Sequence, residues 1–254
     1  MYKRQLQAGE CIPDTGVPKG LGIVIDRPLL LGVVLVFLFS PLSAQEHNRL
    51  TAAETAAGWQ LLFDGNSLEG WRGYNSEFIP TGWSVENGML IRTGPGGDII
   101  TEQQFGDFEL SLEWLVGPGG NSGILFRAVE GQEEVYHGAP EMQILDDAGH
   151  PDGRSPLTSA GSNYGLHGVP RGIVKSAGEW NLSRIIVVNN QVEHWLNGDK
   201  VVAYELGSTD WLQRVANSKF AQWPAYGQAS HGHIGIQDHG DRVSFRNLKV
   251  REIN

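Results

Sequence analysis

Between Phe108 and Val116 apolar and polar side chains alternate: Phe108, Leu110, Leu112, Trp114 and Val116 fall on one parity, Glu109, Ser111 and Glu113 on the other. A period of two belongs to a β-strand, so this segment predicts a half-buried strand with one face in a core and the other toward water. The neighbouring segments ask for the same architecture. "WSVENGMLIR" (83–92) places Asn87-Gly88 between two short runs, the strongest local hairpin signal. "SRIIVVNNQVEHWLNGDKVVAYEL" (183–206) reads as three strands joined at Asn189-Asn190 and at Asn197-Gly198. In "DRVSFRNLKVREI" (241–253) Val243 and Phe245 lie on one parity and Leu248 and Val250 on the other, so a bulge is expected at Arg246-Asn247. Only "STDWLQRVANSKF" (208–220) carries loosely helical spacing, through Trp211, Leu212, Val215 and Phe220. Thirty-four glycines and many Asn and Asp turns fit an all-β sandwich of antiparallel sheets with long loops.

Upstream lies a different kind of segment. "PLLLGVVLVFLFSPLSA" (28–44) is an apolar run preceded by Lys19 and Arg27 and closed by small residues, the pattern of a secretory signal peptide. Residues 1–44 are therefore expected to direct export, to the periplasm or the extracellular space, with membrane contact only if this segment is retained. Residues 45–57 are expected to be a linker or a short helix, and 58–254 one domain. The single cysteine, Cys11, precedes the apolar run, so disulfides, a thiolate nucleophile and zinc-cysteine sites are excluded from the domain. A formal net charge of −10 argues against nucleic acid as a partner.

The chemistry is concentrated in "APEMQILDD" (139–147). On a strand Glu141 and Gln143 share a face, while Met142, Ile144 and Asp146 take the other unless a bulge intervenes. "LLFDGNSLEGW" (61–71), "WSVENGML", "GDFELSLEWLV", "GNSGILFR" (120–127), "PEMQILDD", "GEWNLSRIIVVNNQVEHWLNG" and "GIQDHGDRVSFRNLKV" (235–250) follow one another in the order found in the 3-keto-disaccharide hydrolases. The chain resembles that family from about Gly58 to Glu252. The resemblance implies a concanavalin-like jelly-roll β-sandwich, usually exported, acting on 3-keto-glycosides supplied by a separate sugar 3-dehydrogenase. It implies hydrolase, lyase or hydratase chemistry without choosing among them. No nicotinamide-binding pattern makes the chain its own oxidant.

Laminarinase-type glucanases of this fold carry acids in the pattern E-x-D-x-x-E, and Glu141, Gln143 and Asp146 stand in that spacing. A retaining glycosidase needs two carboxyl groups roughly 5 Å apart, and the amide at 143 and the shorter acid at 146 argue against such a pair. A 3-keto sugar needs less. Its ketone acidifies the C2 proton, so one base, a stabiliser at the 3-oxygen and a proton donor at the leaving oxygen suffice. Glu141 is the candidate base, His239 the candidate acid or second base, and Arg127 the candidate stabiliser. Asn121, Gln143 and Gln237 are expected to bind sugar hydroxyls.

For a sugar platform, Trp223, Tyr226 and Tyr164 are expected as pocket walls, while most other aromatics, among them Trp71, Trp83, Trp211 and Tyr136, are assigned to the core. A divalent metal is conceivable at His231 and His233 or at Asp146, Asp147 and His150, but no calcium-loop signature occurs. Two other readings stand beside the enzyme on keto sugars: a non-catalytic carbohydrate-binding module, and a retaining glycosidase on unoxidised glucan.

Overall fold

The computed structural model describes residues 47–253; the proposed signal segment and Cys11 lie outside them. The strands are β1 (Gln60–Leu61), β2 (Trp71–Gly73), β3 (Trp83–Glu86), β4 (Met89–Arg92), β5 (Ile99–Phe105), β6 (Phe108–Val116), β7 (Asn121–Ala128), β8 (Glu141–Leu145), β9 (Asn181–Val188), β10 (Gln191–Leu196), β11 (Asp199–Glu205), β12 (Gly232–Ile236) and β13 (Val243–Glu252). Two helices, α1 (Ala52–Ala56) and α2 (Thr209–Ala216), accompany them. The larger sheet runs β11-β10-β9-β6-β13-β4-β3, with β1 added to the far half of β13; the smaller runs β2-β5-β12-β7-β8. All pairings are antiparallel.

The expected jelly-roll sandwich is therefore present, and its turns follow the sequence signals. Asn87 and Gly88 both adopt positive φ between β3 and β4, as a tight primed hairpin requires. The β13 register shifts between Arg246 and Lys249, with Asn247 at φ 55°, so the change of parity is the expected bulge. Between the sheets Phe108, Leu110, Leu112 and Trp114 of β6 meet Ile124 and Phe126 of β7 and Met142 and Ile144 of β8 in one buried cluster. Each such side chain contributes roughly 1.5–3 kcal/mol by leaving water.

One expectation changes and another resolves to one of its alternatives. β6 is not half-exposed, because it lies between β9 and β13: Glu109 is 3 % exposed beneath Arg184 and Arg251, which both bond its carboxylate. Of the linker or short helix expected over 45–57, the described residues contain the short helix, α1. The Thr51–Glu54 capping box starts α1, Glu54 pairs with Lys249, and Asn48 exchanges backbone-to-amide bonds with Asn247 across the sheet.

Candidate active site

Alternation along β8 sends Met142 and Ile144 into the core and leaves Glu141 and Gln143 on the outer face of the smaller sheet. There they meet Asn121 of β7, Gln237 and His239 from the segment after β12, and Tyr136, Tyr164 and Lys219 from the covering loops. These eight residues line a cavity of about 260 Å³. Six of them, Asn121, Glu141, Gln143, Tyr164, Gln237 and His239, are positions singled out in the sequence.

Glu141 is 6 % exposed, yet its carboxyl takes no hydrogen bond among the described residues. Burial pushes its pKa up to about 8; the positive charge of Lys219 opposes the shift, and the negative charges of Asp98 and Asp152 add to it. The backbone makes room for it. Gly123 of β7 pairs with Gln143, and a methyl group at that glycine would overlap Glu141 Oε1. The carboxyl therefore lies flat over the neighbouring strand, in a slot only glycine leaves open.

Three amide oxygens around it are buried without a partner: Asn121 Oδ1, Gln143 Oε1 and Gln237 Oε1. Their amide nitrogens are better served on two of the three: Gln143 Nε2 donates to Thr158 O at 3.4 Å, and Asn121 Nδ2 lies 3.4 Å from His239 Nε2. An unpaired buried acceptor costs about 1–3 kcal/mol, so three such oxygens on cavity-lining residues concentrate a cost at this site. His239 stands at the rim, its side chain 47 % exposed, with Nδ1 3.8 Å from Asp241 Oδ2. Asp241 in turn accepts the Asn121 backbone N–H at 3.2 Å, which ties the rim to β7.

Lys219 supplies the cation. Its Nζ lies 4.5 Å from the Tyr164 ring centroid and 5.4 Å from that of Tyr136, and it forms no ion pair or hydrogen bond among the described residues. It is held there by its neighbour: Phe220 is buried and stacks on Tyr226, which stacks on Trp211 of α2. Tyr164 is fixed by its hydroxyl, which donates to Asp152 at 3.1 Å. Burial and the Asp152 charge push its pKa up to about 12.

Three expected pocket residues stand elsewhere. Arg127 was the candidate stabiliser of the 3-oxygen, but β7 carries an extra residue against β12 between Leu125 and Ala128, and Arg127 sits at φ 49°. Its guanidinium turns to Gly106 O, Asp107 and Asn190, an ion pair away from the cavity. Trp223 does not line the cavity; it stacks on His137 at 4.1 Å and packs edge-on against Tyr136, supporting that ring from behind. Tyr226 is 1 % exposed and belongs to the core. Tyr136, assigned to the core, lines the site instead. Lys219 was not anticipated at all.

The proposed metal positions are occupied with other work. His233 Nδ1 meets Thr101 O at 2.6 Å and His231 meets Gln104, while Asp146, Asp147 and His150 receive backbone N–H groups of Gly119, Ala160 and Asp152. Among the described residues no group of three or more His, Cys, Asp or Glu is arranged to hold a metal ion. No helix among them is long and apolar enough to cross a membrane.

Residues 58–251 match the family described as the 3-keto-alpha-glucoside-1,2-lyase-like domain. The chain belongs to this family. A 3-keto-disaccharide hydrolase of Bacteroides thetaiotaomicron is 35 % identical to it, over 87 % of each chain. Among solved structures, a glycosyl hydrolase of Parabacteroides distasonis, so named as a putative one, is 33 % identical, with a TM-score of 0.77 over 82 % of this chain and 100 % of that one. A second from the same organism is 31 % identical with a TM-score of 0.61, over 77 % and 99 %. The matched region of the lyase-like family contains all eight cavity residues.

Proposed function

We propose that this protein cleaves the C1 bond of 3-keto-glycosides by removing the C2 proton and expelling the C1 substituent. The observation that carries the reading is Glu141: a buried carboxyl, raised to about 8, with no hydrogen-bond partner among the described residues, in a cavity lined by Asn121, Gln143 and Gln237. A carboxyl so placed has a basicity suited to a proton acidified by a neighbouring ketone. Similarity to a protein named as a 3-keto-disaccharide hydrolase, and the lyase-like family description, support the substrate class.

In this reading the Glu141 carboxylate takes the C2 proton, and the C–H electrons move into C2–C3 as the negative charge passes to the 3-oxygen. The Lys219 ammonium, unpaired in the cavity, stabilises that oxygen electrostatically. The charge then returns to re-form the ketone, C1–C2 becomes a double bond, and the C1–O bond breaks. His239, at the rim, gives the departing oxygen its proton. The unsaturated ketone left behind is the lyase product. Addition of water across C1–C2, oxygen to C1 and the Glu141 proton to C2, converts the same sequence into net hydrolysis, which accommodates both descriptions borne by the relatives.

The retaining-glycosidase reading loses support from Asp146, whose oxygens accept from Gly119 N and Ala148 N and which does not line the cavity. A binding module would not need a partnerless buried acid. Export to the periplasm or beyond, and supply of substrate by a separate 3-dehydrogenase, belong to the same proposal.

The test is release of the aglycone from a 3-keto-glucoside and from its unoxidised parent, side by side, with chelator and with added divalent metals. Release from the keto form alone is expected. Release from the parent points to a glycosidase, and release from neither, with sugar still bound, to a binding module.

A further inference from the structure

A second cleft opens on the same side of the smaller sheet. It measures about 430 Å³ and is walled by Tyr74, Phe78, Ile79 and Pro80, with Asp98 and Glu134 among its polar groups. It adjoins the first through two shared segments. Glu133 and Glu134 line the cleft while Tyr136, in the same short turn, lines the catalytic cavity. On the other flank Asp98 accepts the Asp238 N–H at 2.7 Å, and Asp238 stands between the cavity residues Gln237 and His239. The Asp238 carboxylate also receives Gly96 and Gly97 N–H, both in the wall of the cleft, so one side chain joins the two hollows.

The walls are held firmly. Gly73 N donates to Phe78 O at 2.9 Å, Asn75 Nδ2 to Gln132 O at 2.7 Å, and Gly131 N to Asn75 Oδ1 at 3.0 Å. Gly96 packs so closely on Pro80 that a methyl group there would overlap its ring. On this fixed loop Phe78 is 79 % exposed, the most exposed of the large hydrophobic residues described. An exposed aromatic ring in the same cleft as carboxyl groups offers CH stacking for a sugar ring together with acceptors for its hydroxyls.

We infer that this cleft binds the departing sugar of a 3-keto-disaccharide, a neutral pyranose, with Phe78 as its platform and Glu134 as a hydroxyl acceptor. The inference rests on the reading above, since the catalytic cavity must take the oxidised ring and Asp238 ties the segment that carries Gln237 and His239 to the wall of the cleft. It makes the protein selective for a sugar leaving group over a small one.

The experiment compares kcat/KM for 3-ketotrehalose and methyl 3-keto-α-glucoside in the wild type, Phe78→Ala and Glu134→Gln. The ratio favours the disaccharide in the wild type and falls about fivefold or more in Phe78→Ala, with a smaller fall in Glu134→Gln. A ratio unmoved by both substitutions overturns the subsite. Titration with glucose alone, followed by the amide NMR signals of Asn75, Gly96 and Gly97, separates this from failure of the catalytic reading. If neither keto-glycoside is cleaved but glucose shifts those amides in the wild type and not in Phe78→Ala, the sugar site stands without the activity. If no turnover occurs and the amides do not move, both fall.

Discussion

The outer faces of the two sheets each bury a glutamate, and the two are handled in opposite ways. On the larger sheet Glu109 is 3 % exposed and its carboxylate is bonded by both Arg184 and Arg251. On the smaller sheet Glu141 is 6 % exposed and takes no hydrogen bond among the described residues. Burying a charge costs several kcal/mol unless it is paired, and an unpaired acid answers by holding its proton. Glu109 therefore closes a structural network, whereas Glu141 keeps an unsatisfied group facing a cavity. A fold retains such a group where it has a use, and the two faces separate holding the sandwich together from acting on a ligand.

The widest gap between them is expected in activity. Glu141→Gln should lower kcat on a 3-keto-glucoside by about 10³-fold or more while sugar binding, by calorimetry, survives. Glu109→Gln should leave kcat within about twofold and instead lower the unfolding free energy by about 1–3 kcal/mol, since both arginines are more than a third exposed and partly repaid by water. Equal losses of activity in the two variants would erase the distinction.

Stability against pH sharpens it. The folded value for Glu141, about 8, lies above its ordinary 4.5, so the neutral carboxyl is the form that folding favours. That advantage is complete below pH 4.5 and lost as pH rises through 8. Glu141→Gln should therefore match the wild type at pH 4 and exceed it at pH 9, by on the order of 3–5 kcal/mol, in urea unfolding. A constant difference across that range would mean that the carboxyl is not buried unpaired.

Smaller effects probe what surrounds the acid. Lys219→Met should reduce kcat about 100-fold and leave the melting temperature within a degree or two, because the residue is exposed and its ammonium forms no ion pair among the described residues. Gly123→Ala should cost about tenfold in kcat and roughly 1–3 kcal/mol of stability, because the buried Glu141 side chain must move from Cγ outward, and its end is the reacting carboxyl. A Gly123→Ala protein that unfolds early while retaining full kcat would place the role of the glycine in the strand and not in the site.

Much of this contrast was legible in the sequence, and the exceptions have local causes. Alternation along β6 and β8 put Glu109 and Glu141 on outer faces, and Asn-Gly pairs located the turns. Alternation says nothing about what covers a face, so the partners of Glu109, from β9 and β13, could not be read. Arg127 stands away from the site because one extra residue in β7 and a positive φ, neither visible in the sequence, turn its side chain off the parity of Asn121 and Gly123. Lys219 was invisible because it lies in a short 3-10 turn, far along the chain from β8, and reaches the cavity through the stack of Phe220, Tyr226 and Trp211. The three-residue Tyr136 turn likewise has no period to reveal its face.

The most direct single test is the pH dependence of kcat/KM for a 3-keto-glucoside, corrected for spontaneous elimination, in the wild type and in Glu141→Gln. Because kcat/KM reports groups in the free enzyme, an unpartnered base at Glu141 predicts activity that rises with pH along a limb centred near 8 and a variant whose residual activity lacks that limb. A wild-type profile flat from pH 6 to 9, or the same limb persisting in Glu141→Gln, would contradict Glu141 as the base.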